Sequence, residues 1–466
     1  MKQYEPQTPE QWAGATFGSA ELGHQQRTDR LVMMAAALAK EPAASLPKAM
    51  GNWSQTLAAY RFLENEQVSH EQIMMPHWSQ TRAQASERTW VLLIADTTEI
   101  NLSTHTRTQG MGPVGQGLRG KGFYVHTVHA VDAQTKEVLG CAYQEPFVRQ
   151  RAPKKETRAQ RRQRVRESQV WERSATAIGP APAGVHWVHV GDRGADIYTF
   201  WQTCQQMGCE FVVRAMEDRG MFAQGEDGEQ ERRMDHLRQR ARRLPAKDGR
   251  VLHVQAEHER RARDAWLQIG YQSVLIQPPV NGACLEKTAV QASLIRVWEP
   301  TPPQGVEALE WILISSVPVE QVEQAWERVE WYRCRWMAED FHHALKTGCQ
   351  MENRLVRSVE ALFRLLGILT PIAERLLLLR QTAQSAPETP AEEVVETQVI
   401  QVVARLAGLA PETMSVHRLW STIASFGGYL GRSGDGPPGW KTVWQGWFYV
   451  QTVLEGVQLA AALAPS

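Results

Sequence analysis

Between Val329 and Lys346 five polar side chains recur at steps of three and four: Tyr332, Arg335, Glu339, His343 and Lys346. The stretch contains no Pro or Gly and is rich in helix formers, so it predicts one helix carrying all five along a single stripe. Met337, Phe341, Ala344 and Leu345 fall on other sides, where they can pack. One carboxylate flanked by Arg, His and Lys suits a place where a metal ion and a phosphate are held together. Taken alone, the stripe reads first as a solvated face with helical ion pairs.

Two other carboxylates change that balance. Trp90-Val-Leu-Leu-Ile-Ala is a continuous apolar run of strand length, buried on both faces, and it ends in Asp96-Thr-Thr-Glu. His186-Trp-Val-His-Val-Gly is a second such run, ending in Asp192. Open α/β sheets place ligand chemistry at strand ends of this kind. Asp96, Asp192 and Glu339 together make an all-oxygen donor set, suited to Mg²⁺ or Mn²⁺ rather than zinc. Such ions activate a water or a sugar hydroxyl and stabilise the leaving oxygen in phosphodiester transfer.

The elements that must position these groups can be read in chain order. Residues 1 to about 75 are helical in pattern, with Arg27, Arg30 and Lys40 about an Ala-rich segment; such a module is a DNA-reading head or merely a helical module. Tyr124-Val-His-Thr-Val-His-Ala-Val and Glu137-Val-Leu-Gly-Cys-Ala-Tyr predict two more strands. The Gly-rich piece from Gly110 to Gly122 lacks phosphate-loop spacing and reads as a flexible loop. Arg149 to Arg166 holds nine Arg or Lys against one acid, Glu156, which predicts an exposed segment awaiting an anion or simply a solvated helix. Glu210-Phe-Val-Val-Arg214 is a strand. Short alternating strands then fill an antiparallel stretch up to about Glu310, with a basic run (Arg232 to Arg243) near its start. Trp311-Ile-Leu-Ile-Ser-Ser is one more buried strand, and Pro318 is expected to begin the stripe-bearing helix. Leu355 to Arg380 forms a long Leu-rich helix, Gln381 to Glu393 a polar linker, and residues 394 to 466 are helical again, ending in an aromatic and aliphatic stripe that suits core or a subunit contact.

With 466 residues, two to four domains are expected. Formal net charge is zero, so nucleic-acid binding has to come from local patches. The six cysteines are scattered without zinc spacing, which fits a reducing cytosol. No signal peptide is evident, and the greasiest segment, Ala361 to Leu379, is interrupted by charges and proline and reads as buried helix rather than membrane span.

The stripe has the spacing Tyr332, two residues, Arg335, three residues, Glu339, six residues, Lys346. With Ile94-Ala-Asp96-Thr-Thr, Asp192-Arg-Gly-Ala-Asp-Ile, Phe211-Val-Val-Arg214, Phe17-Gly-Ser-Ala-Glu-Leu-Gly, Arg27-Thr-Asp-Arg30-Leu-Val, Ala59-Tyr-Arg-Phe-Leu, Trp440 and Trp444-Gln-Gly-Trp447, it resembles the cut-and-paste bacterial transposases of the Tn-five type, in the insertion-sequence-four family of DDE transposases. The resemblance spans nearly the whole chain. It implies an α/β fold: a ribonuclease-H-like catalytic core at 76–358 with a β-rich insertion at about 215–310. Flanking it would be a helical transposon-end DNA-binding domain at 1–75 and a helical dimerisation region at 359–466.

By the same resemblance Asp96, Asp192 and Glu339 bind Mg²⁺, with Mn²⁺ as a substitute. Tyr332, Arg335, Lys346, His343 and Arg214 serve DNA, Trp311 holds a base taken out of the stack while a DNA hairpin forms, and Arg27, Arg30 and Lys40 bind the transposon end. The partners implied are double-stranded DNA and a second copy in a homodimeric synaptic complex, in the bacterial cytoplasm at the nucleoid, with no membrane. Without the resemblance, Trp311 among apolar neighbours reads as core. Two positions depart from the family pattern: His343 stands where the close relative has lysine, making phosphate contact there weaker or pH-dependent, and Gly194 replaces an acid beside Asp192. A catalytically silent DNA-binding derivative and a less specific ribonuclease-H-like nuclease are the alternatives.

Overall fold

The computed structural model describes residues 8–150, 155–157, 166–223, 234–254, 263–280, 284–432 and 436–463. The chain opens with five helices: α1 (Pro9–Phe17), α2 (Gln25–Lys40), α3 (Leu46–Met50), α4 (Trp53–Leu63) and α5 (His70–Ala85). Thr8 and Ser69 start α1 and α5 with capping boxes, each satisfying two backbone donors reciprocally. α2 buries Leu31, Met34, Ala35 and Leu38, a stripe at helical spacing that closes this module's core. α5 runs across position 75, where the sequence suggested a boundary.

The middle of the chain supplies β1 (Trp90–Asn101), β2 (Gly112–Val114), β3 (Gly120–Asp132), β4 (Val138–Phe147), α6 (Val170–Ile178), β5 (His186–Gly191), α7 (Tyr198–Gln206) and β6 (Glu210–Arg214). It continues with β7 (Gly220–Ala223), β8 (Asp235–His236), α8 (Leu237–Arg243), β9 (Asp248–Val254), β10 (Arg263–Ile276), β11 (Val290–Trp298) and β12 (Glu310–Ser315). Among the described residues these strands form one mixed sheet, ordered β2-β3-β1-β5-β6-β12-β11-β10-β7-β8, with β4 on β3 and β9 on β10. β1, β5 and β6 are parallel, and their neighbours are antiparallel. The expected antiparallel stretch after Arg214 therefore extends the same sheet.

Two sequence expectations need correcting here. The Gly-rich piece is not wholly a loop: β2 pairs with the start of β3. A Cβ on Gly122 would stand 1.9 Å from the Ile100 carbonyl oxygen, so glycine is what lets β3 approach β1 there. Nor does β1 end at Asp96. It continues to Asn101 on its antiparallel partner β3, and only its parallel partner β5 stops, at Gly191. The parallel pairing ends at Ile94, two residues before Asp96, and the strand runs on. Most of the basic segment from Arg149 to Arg166 lies outside the described residues, as do Arg232 and Arg233.

The last third holds α9 (Val322–Arg333), α10 (Trp336–His343), α11 (Val359–Ser385), α12 (Thr397–Ala407), α13 (Val416–Phe426) and α14 (Trp440–Leu463). The sheet separates two cores by the two-residue alternation of its strands. Leu92, Ile94, Val188, Val190, Val212 and Leu313 join the core with α9 to α11, whereas Val91, Leu93, Phe211, Val213 and Ile314 join Trp171, Phe200 and Trp201 on the other side. In α11, Leu362, Leu365, Leu366 and Leu369 are wholly buried, each worth about 1.5–3 kcal/mol in burial. α11 runs five residues past Arg380, into the expected linker, and α9 starts at Val322 rather than Pro318. Among the described residues no helix is long and apolar enough to cross a membrane. The C-terminal stripe divides: Val443, Trp444, Val450 and Leu454 are buried, while Tyr449, Val457, Leu459 and Leu463 are exposed.

Candidate active site

Strand register brings the strand carboxylates together. Ile94 and Val190 are the last pair of the parallel β1–β5 ladder, so Asp96, two residues on in β1, and Asp192, just past the end of β5, leave that ladder at the same level. Val190 also pairs with Val212, which sets Asp192 level with Arg214, and Arg214 faces Leu313 across the antiparallel β6–β12 pair. Trp311, two residues before Leu313, shares that face. One row of the sheet thus carries Asp96, Asp192 and Arg214, with Trp311 near its far end. Arg214 also donates from Nη2 to the Glu310 carbonyl at 3.1 Å.

The stripe-bearing segment lies over this face, but not as one helix. α9 ends at Arg333, and Met337 and Ala338 bond back three residues to Cys334 and Arg335, a tightened turn between two α-helices. After His343 the chain widens into a π-helical turn, Ala344–Gly348, which carries Lys346. The single uniform stripe is therefore corrected: Tyr332 belongs to the first helix and is 6% exposed, while His343 is exposed and Arg335, Glu339 and Lys346 are half-buried. Phe341, Ala344 and Leu345 pack inward as expected, wholly buried. The Tyr332 and Trp311 rings lie 6.1 Å apart, tilted by 59°, so Trp311 is partly core-packed in this state.

Arg335 ties helix to sheet. Its Nη2 donates to Glu339 Oε1 at 2.7 Å and its Nη1 reaches Asp96 Oδ2 at 3.5 Å, and the guanidinium also lies 5.1 Å from the centre of the exposed Trp336 ring. The Asp96 carboxyl is pushed up to about 6, first by burial and next by the charge of Asp192; Arg335 and the Thr97 N–H oppose the rise, and Glu339 adds to it. Asp192 and Glu339 thus both bear on Asp96 electrostatically, and one arginine bridges Asp96 and Glu339. Among the described residues no three His, Cys, Asp or Glu side chains close tightly enough to hold an ion. Even so, the donor chemistry fits a hard divalent cation: all ligating atoms are oxygens, and the repulsion from Asp192 and Glu339 that adds to burial in raising Asp96 is what such a charge relieves. Asp192 accepts the Gly194 N–H at 2.7 Å. A Cβ at Gly194 would stand 3.0 Å from that same oxygen, so the small residue at this departure leaves the carboxylate uncrowded.

The cationic residues of the head lie apart from this row. Arg27 donates to the Leu22 carbonyl at 2.8 Å and to Gln67, and Arg30 donates to Gln55 and reaches Met33 Sδ at 3.6 Å. Lys40, at the end of α2, is exposed beside a cavity of about 620 Å³. Sequence reasoning passed over Asp196, whose carboxylate takes the Met216 and Glu217 N–H groups and Arg219, anchoring the chain just beyond β6. Its place in the Asp192-Arg-Gly-Ala-Asp run was the available signal.

A helical module joined to a mixed sheet that carries a row of acids and an arginine has the build of an α/β enzyme of phosphodiester chemistry. The Transposase DNA-binding family matches residues 9–68, and the Transposase DDE domain matches residues 91–372. The second match covers more than half of the chain, which therefore belongs to the DDE-domain transposases. It is a DNA transposase with DNA as its partner, and enzymes with this domain generally use divalent metals. α5 fills the interval between the two matches.

Proposed function

We propose that the chain is a cut-and-paste transposase of the Tn-five type, built on a ribonuclease-H-like core, with Asp96, Asp192 and Glu339 as its metal-binding acids. The observation that carries this reading is the placement of Asp96 and Asp192 each two residues beyond the last pair of the parallel β1–β5 ladder, with Glu339 in electrostatic reach of Asp96 and tied to it through Arg335. The strand order β4-β3-β1-β5-β6, with β1, β5 and β6 parallel, supports the core assignment. Mg²⁺, or Mn²⁺ in its place, supplies Lewis-acid charge and an activated oxygen nucleophile.

Water attacks phosphorus at the transposon end, and the bond to the 3′-oxygen breaks to leave a 3′-hydroxyl. That hydroxyl attacks a phosphodiester of the opposite strand, making a hairpin and releasing the flanking DNA through its displaced 3′-oxygen; water reopens the hairpin, and the regenerated 3′-hydroxyl attacks a target phosphodiester, displacing the target's 3′-oxygen. Arg335, once freed from the acids, Arg214, Lys346 and His343 serve the phosphates. Trp311, separating from Tyr332, takes a base removed from the stack. The 9–68 module reads the terminal inverted repeat through Arg27, Arg30 and Lys40. The exposed side of α14 supports a homodimer through the C-terminal helices.

Purified protein with linear DNA ending in the inverted repeats that flank the gene tests the proposal. Hairpin-ended products should form with Mg²⁺ and vanish in Glu339→Ala. Cleavage that persists in that variant removes the acid assignment, and cleavage that never yields joined target DNA favours a plain nuclease.

A further inference from the structure

Arg354 follows the active-site segment and is 3% exposed. All of its hydrogen bonds run to backbone carbonyls. Nε and Nη2 donate to the Cys349 oxygen at 3.0 and 2.7 Å, and the guanidinium also donates to the oxygens of Ala44 and Pro42. Cys349 is the residue immediately after the π-helical turn that carries Lys346. Pro42 and Ala44 lie in the turn that begins just after Lys40, at the end of α2. One guanidinium therefore joins the end of the active-site segment to the end of the helix bearing Arg27 and Arg30. A second guanidinium ties α11 to the same module: Arg364, 8% exposed, donates to the Leu63 oxygen at 2.8 Å and to the Val68 oxygen, at the turn between α4 and α5.

Burying a guanidinium is costly, and burial pulls the pKa of both arginines below the ordinary value. Apolar side chains in the same space would hold two surfaces together at less cost. What they lack is direction. A planar fork of donors fixes angles between the carbonyls it bridges, which greasy contact does not. The investment is in orientation rather than adhesion.

We propose that Arg354, seconded by Arg364, is a positioning residue that locks the DNA-reading module to the catalytic segment and so determines which phosphodiester of a bound end is cut. This rests on the proposed function, in which the module grips the end and Glu339 belongs to the cutting site. It holds whether a protomer cuts the end it grips or the end gripped by its partner, since the module-to-core angle is a link in either path. One base-pair step is about 3.4 Å, so a module that rocks by that distance moves the cut by a nucleotide.

The test uses full-length protein, Mg²⁺ and end-labelled duplex carrying the flanking inverted repeats, with cut positions read at nucleotide resolution. Thermal midpoint and gel-shift affinity are measured beside it. Arg354→Gln should still bind the end, but spread its cuts over neighbouring phosphodiesters; Arg354→Lys should narrow the spread only in part, having a charge but no fork. A folded Arg354→Gln protein that cuts slowly at the single wild-type position overturns the proposal, because a merely structural residue changes yield and not position. Should Arg354→Gln fail to fold, Arg364→Gln carries the same reading: spread cuts support it, and a single position overturns it. Wild-type protein that cuts nowhere at the repeats overturns the proposed function and this inference with it, whereas accurate wild-type cutting with accurate variants overturns this inference alone.

Discussion

Glu374, buried, and Asp96, partly buried, are two carboxylates that meet the same face of one sheet. Glu374 accepts from His129 at 3.0 Å and from His77, and His129 pairs in register with Ile94, two residues before Asp96. Their environments push them in opposite directions. Burial alone would raise the Glu374 carboxyl, but the His77 charge and hydrogen bonds from both rings hold it well below the usual carboxylate range. Asp96 rises to about 6, because burial and the acids at Asp192 and Glu339 outweigh Arg335 and the Thr97 amide. The first carboxylate is supplied with fixed donors and binds α11 to α5 and β3. The second is left short of positive charge, as suits a group whose partner comes from outside.

The sharpest way to break this contrast is to remove each acid. Asp96→Ala, Asp192→Ala or Glu339→Ala should abolish Mg²⁺-dependent cleavage of repeat-ended DNA while gel-shift binding of the repeat persists; loss of binding as well would mean that the row supports the fold. Glu374→Ala should act on the fold instead. Stripping the shared acceptor from buried His129 and partly buried His77 is expected to cost about 3–5 kcal/mol, read by denaturant titration, and a loss under 1 kcal/mol would remove the distinction (a surface pair costs about that).

A subtler comparison uses amides. Because the folded pKa of Asp96 is raised, its ionisation opposes folding as pH rises through about 6. Asp96→Asn should therefore raise the thermal midpoint of metal-free protein near pH 8. The gain should shrink as pH falls below 6 and vanish well below pH 3.8, where the aspartate is protonated both folded and unfolded. Glu374→Gln should lower the midpoint at pH 8; two shifts of the same sign would contradict the comparison. The smallest effect is expected at His343. Exposed at the end of α10, it should accept Lys without loss of stability, and one added phosphate contact should steepen the salt dependence of DNA binding by about one unit of slope. An unchanged slope would take position 343 away from the DNA.

Much of the site was legible in the chain itself. The apolar runs before Asp96 and Asp192 dictated two buried strands, and the steps from Arg335 to Lys346 dictated a helical segment, because each pattern repeats with the period of its own backbone. Local pattern misjudged places where pairing or packing intervenes. β1 outlasts Asp96 because β3 is there to bond it, and the stripe bends at Cys334–Arg335 where the helix tightens. Nothing local marked His77 and Glu374 as partners 297 residues apart, nor Arg354 as a donor to Ala44 across 310. The sequence by itself determined which residues had the chemistry of acids, cations and strand formers. Only the tertiary structure decided that Asp96 and Asp192 fall level, that Arg335 bridges to Glu339, and that two arginines join the DNA-reading module to the core. Strand register and long-range hydrogen bonds are set by elements meeting in space, and no residue carries that meeting in its own neighbourhood.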